Sequence, residues 1–408
     1  MRGAYTVTMR PLNPATLSPL LLQTIAEVVA QHGISMPQLA QGVAELSQLF
    51  TTDRGVIRQP YLDHPLKAAA YLSYFLPVNL AKVQVLLDEM PIPEPTGRLK
   101  VLDLGTGPGT GALAALDWWH RRNPQTVIPL EVIAVDHVRG ALRQATDLWT
   151  RYVQVTGIPG ATMRTVEGNL TRSANSQWVG EARHAAPYDL IVLANCLNEL
   201  HVEAADSVAA GSALVSEVLA WLAPTGTMMI VEPALRETAR TLQQIRDRLL
   251  QERRCTVYSP CLHENPCPAL VNPFDWCHEE RAWIPPASIQ ILDERVGFIK
   301  DALKFSYLLL RKDGKTIVER RPDVFRVVSE LRAMKGEKRA WLCNEQGRQE
   351  VGRQDRLASP QNEAFDQWHR GAIVQIERIV RKVKDGKASA LGRIEQDVSV
   401  GMVRSAER

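Results

Sequence analysis

Apolar positions along this chain fall into two regimes of spacing. Before residue 90 they recur at every third or fourth position, as in helices that bury one face. "LSPLLLQTIAEVVAQHG" predicts a helix that closes at Gly33 as a C-cap, and "MPQLAQGVAELSQLF" a second with Pro37 near its start. "HPLKAAAYLSYFLPVNLAKVQVLLDEM" predicts further helix, which Pro77 should kink or divide. "PIPEPTG" breaks the pattern. From Leu99 short apolar runs alternate with helical segments, the signature of an α/β protein with a parallel sheet. The predicted strands are "LKVLDLG", "LEVIAVD", "TMRTVEGNL", "YDLIVLANCL" and "GTMMIVEP". "GALAALDWWHRR", "RGALRQATDLWTRY", "SALVSEVLAWLAP" and "ALRETARTLQQIRDRLLQERR" are the intervening and following helices. "FSYLLLRKDG" predicts a late strand and turn. Beyond Pro322, "VFRVVSEL", "RAWLCNEQG", "QEVGR" and "AIVQIERI" read as pieces of a small β-barrel or OB-like module. The expected organisation is a helical region over 1–95, a Rossmann-like domain over 96–310 and a basic β module and tail over 311–408.

Composition adds little: 45% hydrophobic and 23% charged over 408 residues is ordinary for a globular chain of two or three structural units. No apolar run reads as long enough to span a bilayer, so no membrane partner is expected. The N-terminus lacks the order of a secretory signal. It carries Arg2 and Arg10 before its first acid, Glu27, a faint likeness to a transit peptide. The expected location is a bacterial cytoplasm, or the mitochondrial matrix if the source is eukaryotic. The net charge of +3 is unevenly spread. Residues 311–408 hold 22 Lys+Arg against 15 Asp+Glu, and the remainder 26 against 30. A basic C-terminal quarter suits either a polyanion partner or a solvated surface.

Candidate chemistry begins where the first predicted strand runs into "DLGTGPGTG". Gly105, Gly107 and Gly109 remove side chains where a ligand would approach the backbone, and a helix N-terminus favours an anionic group there. Asp136 ends the second strand, in position to accept hydrogen bonds from a ribose diol. Asp103 before alternating glycines resembles motif I of class I S-adenosylmethionine-dependent methyltransferases, over roughly residues 99–235. That resemblance implies a cofactor site at Asp103, Gly105, Gly107, Gly109 and Asp136, with Asn169 near the adenine. It leaves the catalytic residues unknown, because "LANCLNELH" after the fourth strand lacks the Pro-Pro-aromatic and Pro-Cys motifs. Asn195, Asn198, Glu199 and His201 could face a substrate, but Asn195 or Asn198 capping the next helix is the simpler expectation.

Cys255, Cys261, Cys267 and Cys277 are separated by five, five and nine residues, with Pro260, Pro266 and Pro268 among them. Such clustering points to a soft metal centre. Zinc sites usually use tighter knuckles, and wider spacing suits a larger cluster such as [4Fe–4S]. His263 and His278 are alternative ligands or, more simply, solvated loop residues. Cys196 and Cys343 stand apart as core residues.

"CTVYSPCLHENPCP…DWCH" following such a domain, with "LNEL", "VEP" and "LKFSYLLL", resembles the small-ribosomal-subunit assembly factors of mitochondria and their bacterial homologues, the yeast Rsm twenty-two and human methyltransferase-like seventeen group. Leu262 and Glu279 depart from the family's usual proline and aromatic. The resemblance implies a class I methyltransferase domain with a four-cysteine insertion holding [4Fe–4S], a small β tail, and contact with the small ribosomal subunit and its rRNA, with no DNA partner. One expectation is an S-adenosylmethionine-dependent enzyme acting on that rRNA, in ribosome assembly or translation. Another is a non-catalytic iron–sulfur factor that binds it. A third, a small-molecule methyltransferase with structural zinc, leaves the basic tail unexplained.

Overall fold

A computed structural model describes residues 16–52, 61–93, 97–122, 128–171, 176–200, 204–384 and 386–406. Helices α1 (Pro19–Ala30) and α2 (Met36–Thr51) come first, with Gly33 at φ +64 between them. Next come α3 (Pro65–Ala70) and α4 (Leu76–Glu89), joined into one rod by a π-helical turn at Tyr71–Phe75. Pro77 therefore does not divide the helix. Proline lacks an N–H and crowds the carbonyl four residues back. The wider turn just before it, where Leu76 N–H reaches Tyr71 O, accommodates that demand.

The rod corrects a second expectation. Its 25 residues are apolar and long enough, by length and composition, to cross a membrane, and 72% of its most apolar window is buried inside the protein. Leu72, Leu76, Leu80, Val83 and Leu87 share one core with Val101, Val192, Met229, Phe305 and Leu309 of the sheet. Burying such side chains contributes roughly 1.5–3 kcal/mol each, which is why so apolar a helix lies against the sheet.

Five parallel strands alternate with helices: β1 (Leu99–Leu104), α5 (Thr110–Arg122), β2 (Leu130–Asp136), α6 (Arg139–Thr156), β3 (Thr162–Glu167), α7 (Gln177–Ala185), β4 (Tyr188–Ala194), α8 (Ser207–Leu219) and β5 (Leu222–Pro233). Then follow α9 (Arg236–Gln251), β6 (Thr256–Ser259), the cysteine segment, β7 (Glu279–Ala282), α10 (Ala287–Val296) and β8 (Ala302–Arg311). The order is β3-β2-β1-β4-β5-β8-β6, with β7 also on β8, and β8 runs antiparallel to β5 and β6. Connections leave β1 and β4 in opposite directions, so a crevice opens at their carboxyl ends. The helix expected to begin at Asn195 or Asn198 starts instead at Ser207, where the Asp206 carboxylate accepts from Ala209 N–H at 2.7 Å. Residues 195–200 form a turn, and His201 lies outside the described residues.

A second sheet follows: β9 (Val324–Val327), β10 (Arg332–Met334), β11 (Glu337–Asn344), β12 (Gly347–Gln354) and β13 (Ile373–Ile376), then a short β14–β15 hairpin (Val383–Lys384, Lys387–Ala388), β16 (Gly392–Arg393) and β17 (Val400–Arg404). Its order is β16-β12-β11-β9-β13-β17, with β10 on β11. Phe325, Leu342, Val351, Phe365 and Val374 form its core. Several of its arginines are held in ion pairs: Arg353 to Asp366 at 2.7 Å, Arg348 to Asp275 at 2.8 Å, and Arg339 and Arg393 sharing Glu337.

Candidate functional sites

The loop from β1 to α5 is built around Asp103. Its buried Oδ2 accepts from Thr106 Oγ1 at 2.5 Å and Ala112 N–H at 2.8 Å. Burial raises this carboxyl to about 6. Gly105 adopts φ +66, and a Cβ there would stand 2.4 Å from Cys196 Cβ, so only glycine fits. Cys196 is buried as expected, its thiol donating to Leu104 O at 3.2 Å. Gly107 N–H donates to Asp136 Oδ2 at 2.8 Å, and Val138 N–H to Oδ1 at 2.9 Å. Asp136 thus fastens the loop to the end of β2, while each of its oxygens keeps a further lone pair. Gly109 (φ +97) closes the turn into α5. Asn169 is exposed, and its Oδ1 accepts from Thr171 N–H and Oγ1 at 2.9 and 2.7 Å, an Asx turn of its own.

Tyr71, Asn79, Lys82 and Glu232, absent from the sequence-derived set, join Asn195 at this end of the sheet. Asn79 Nδ2 donates to Tyr71 OH at 3.3 Å, and Lys82 Nζ to Asn79 Oδ1 at 3.1 Å, all along the α3–α4 rod. Burial, with the charges of Glu199 and Asp136, raises the Tyr71 phenol to about 12. Asn195 follows β4 in the left-handed region at φ +56, with its Oδ1 buried and unbonded among the described residues. Glu232, at the end of β5, accepts from Leu197 and Asn198 N–H at 3.0 and 3.2 Å, and burial raises its carboxyl to about 8. The only hint of Glu232 in the sequence was "VEP".

The second site is a cavity of about 40 Å³ whose lining includes Cys261, Cys267, Cys277 and Cys343. Cys255 does not line it. It sits just before β6, five residues short of the turn that carries Cys261, so it departs from the expected four-thiol set. Cys343, expected to be a core residue, takes the fourth position on the wall. It lies on β11 beside Arg326 and Arg348 in register, on the strand face opposite buried Leu342. His263 is buried rather than solvated, and its Nε2 lies 3.5 Å from Cys343 Sγ. His278 is half-buried on the same wall, stacked on Trp276 with ring centroids 5.7 Å apart. Burial pushes the thiols of Cys267 and Cys343 well up and that of Cys277 to about 11, and neighbouring cysteines add to each rise. Among the described residues no three His, Cys, Asp or Glu side chains converge tightly enough for one metal ion.

Two arginines of α9 hold the segment. Arg246, fully buried, donates to the carbonyls of His263 (2.6 Å) and Asn265 (2.9 Å), and Asp247 accepts from Cys267 N–H at 2.9 Å. Arg240 donates to the carbonyls of Ala269, Leu270, Asn272 and Asp275. Behind the cavity lies a buried charge network. Glu89, at the end of α4, accepts from Tyr307 OH at 2.5 Å, Arg281 at 2.8 Å and Ser259 Oγ. Glu279 binds Arg281 at 2.6 Å and Arg326 at 2.9 Å. Burial alone would raise Glu89, but the guanidiniums of Arg281 and Arg326 hold it at about 2.

A family model described as "Mitochondrial small ribosomal subunit Rsm22" matches residues 65–354. No curated protein matches the chain. Among solved structures, the plantazolicin methyltransferase BpumL bound to SAH is 14% identical, with 72% of this chain and 99% of that one covered and a TM-score of 0.32. A methyltransferase from Pyrococcus furiosus is 12% identical over 57% and 82%, TM-score 0.31. A fibrillarin/Nop5p complex is 10% identical over 56% and 80%, TM-score 0.30.

Proposed function

The chain belongs to the Mitochondrial small ribosomal subunit Rsm22 family, and from that premise we propose a methyltransferase-like protein that binds S-adenosylmethionine and acts on small-subunit rRNA in ribosome assembly or translation. The observation that carries the cofactor half is the Asp103–Gly105–Gly107–Asp136 cradle, with backbone bared at φ > 0 beside an acidic strand end. Its loop and acidic strand ends suit a nucleoside joined to an amino acid. When bound, the cofactor supplies an electrophilic sulfonium methyl. The chain's part is to hold an acceptor in line with it and exclude water. Asn195 offers a buried acceptor oxygen there, and Glu232 fixes the turn that carries it.

We assign a [4Fe–4S] cluster to Cys261, Cys267, Cys277 and Cys343. The cavity has room for about three waters. Among the described residues no three of these thiols converge on one metal ion, whereas one tetrahedral zinc would draw sulfurs to within about 4 Å of each other. Cys261, Cys267, Cys277 and Cys343 would hold such a cluster as thiolates, so loading would release the protons that burial keeps on Cys267, Cys277 and Cys343. Its role here is structural, because simple methyl transfer moves no electron.

Two measurements test this. Calorimetric titration with S-adenosylhomocysteine should give one site per chain, and no heat of binding would sink the cofactor assignment. Anaerobic purification should give broad visible absorbance and about four iron and four sulfide per chain. Cys343→Ser should lose that iron and Cys255→Ser keep it. About one zinc and no iron would replace the cluster with a structural zinc.

A further inference from the structure

Lys82 and Lys300 come from distant parts of the sequence to the same end of the sheet. Lys82 lies on α4, and Lys300 lies two residues before the start of β8. β8 pairs Phe305 with Pro233, the last residue of β5, so the approach to β8 lies at the carboxyl ends of the parallel strands, where the cofactor cradle is. Both lysines are held. Lys82 Nζ donates to Asn79 Oδ1 at 3.1 Å. Lys300 is anchored through its carbonyl, which accepts from Trp283 Nε1 at 2.6 Å, and its Nζ lies 5.8 Å from the centroid of the Tyr74 ring.

Both are half-buried, and neither has a carboxylate within ion-pair distance among the described residues. Asp293, whose charge is felt at Lys300, already takes the Tyr74 hydroxyl at 2.5 Å. Glu232, whose charge is felt at Lys82, is already engaged by the N–H groups of Leu197 and Asn198. Burial and the charge of Lys300 lower Lys82 to about 7. Keeping both half-buried amines charged with no counter-ion is costly, as the fall at Lys82 shows, and a bound anion would restore the charge on both. Exposed lysines elsewhere on the chain are free to be solvated. These two are fixed by Asn79, Trp283 and Tyr74 beside the place where a methyl acceptor would enter.

We propose that Lys82 and Lys300 form an oxyanion site that holds a phosphodiester of the RNA strand as it enters the cleft beside the methyl donor. This rests on the rRNA assignment made above. An oxyanion could also come from the carboxylate of the methyl donor itself, and the test separates the two sources.

The test compares the full-length protein with Lys82→Gln, Lys300→Gln and Lys82→Arg. A fluorescein-labelled single-stranded RNA oligonucleotide is titrated by anisotropy at several salt concentrations. S-adenosylhomocysteine is titrated by calorimetry, and thermal unfolding confirms that each variant is folded. Each glutamine variant should weaken RNA binding by about tenfold and lower the salt slope by about 1, with S-adenosylhomocysteine affinity unchanged and Lys82→Arg close to wild type. Unchanged RNA affinity and slope in folded glutamine variants overturn the phosphate site and leave the rRNA assignment standing. Weakened S-adenosylhomocysteine binding with unchanged RNA binding moves the pair to the donor's carboxylate and also overturns it. A wild-type protein that binds no RNA overturns the rRNA assignment and the phosphate site with it.

Discussion

At the scale of single residues, the proposed cofactor cradle depends on one close approach. Gly105 combines a left-handed φ with a Cβ position 2.4 Å from Cys196 Cβ. Gly105→Ala should therefore cost about 2–5 kcal/mol, combining left-handed backbone strain with overpacking. Urea unfolding measures that loss, and S-adenosylhomocysteine binding should disappear with it. Cys196→Ala should not rescue the variant, because the clash is with Cβ, whereas Cys196→Gly should recover part of it. The alternating glycines and their flanking acids were legible in the sequence because a tight turn at a helix entrance restricts residue type so strongly. Glu232 was not, and Asn195, named as a possible substrate-facing residue, was expected instead to cap a helix. Their importance comes from meeting across strands β4 and β5, and nothing in their local spacing marks it.

At the scale of elements, the end of α4 is held by charge. Glu89 titrates at about 2 when folded, against an ordinary 4.5, so its stabilising contribution is complete above pH 4.5 and is lost as the pH falls toward 2. Acid titration of the melting temperature should show this loss in the wild type and much less of it in Glu89→Gln. That substitution should also cost about 3–5 kcal/mol at neutral pH, because it leaves Arg281 buried with one carboxylate fewer. A substitution costing under about 1 kcal/mol would mean the network is not held by charge. Helical spacing predicted the rod itself, while Pro77 misled, since sequence does not reveal that a π turn precedes the proline. The helix expected after β4 failed for a related reason: Asn195 has cap chemistry, but Glu232 takes the N–H groups of residues 197 and 198 and fixes a turn there instead.

At the scale of the whole molecule, three wall thiols belong to the segment between β6 and β7 and the fourth to β11 of the second sheet. Loaded protein should therefore melt at a higher temperature than chelated protein, and Cys343→Ser should melt at the same temperature with or without iron. A metal-dependent rise that survives Cys343→Ser would exclude this thiol as a ligand. Four cysteines in one stretch were easy to see, and that clustering drew attention to Cys255 and away from Cys343. Proximity in sequence stood in for proximity in space, and only the register of β11 against β9 and β12 separates them. The rod from Pro65 to Glu89 touches both sites, with Lys82 near the cradle and Glu89 in the network behind the thiols. A chimera that grafts the sheet of one relative onto the helices of another cannot place its junction in the proline-rich break after Glu89. The recipient's Arg281 and Arg326 would then face a foreign carboxylate or none, so a workable graft must carry the rod, β7 and β9 together.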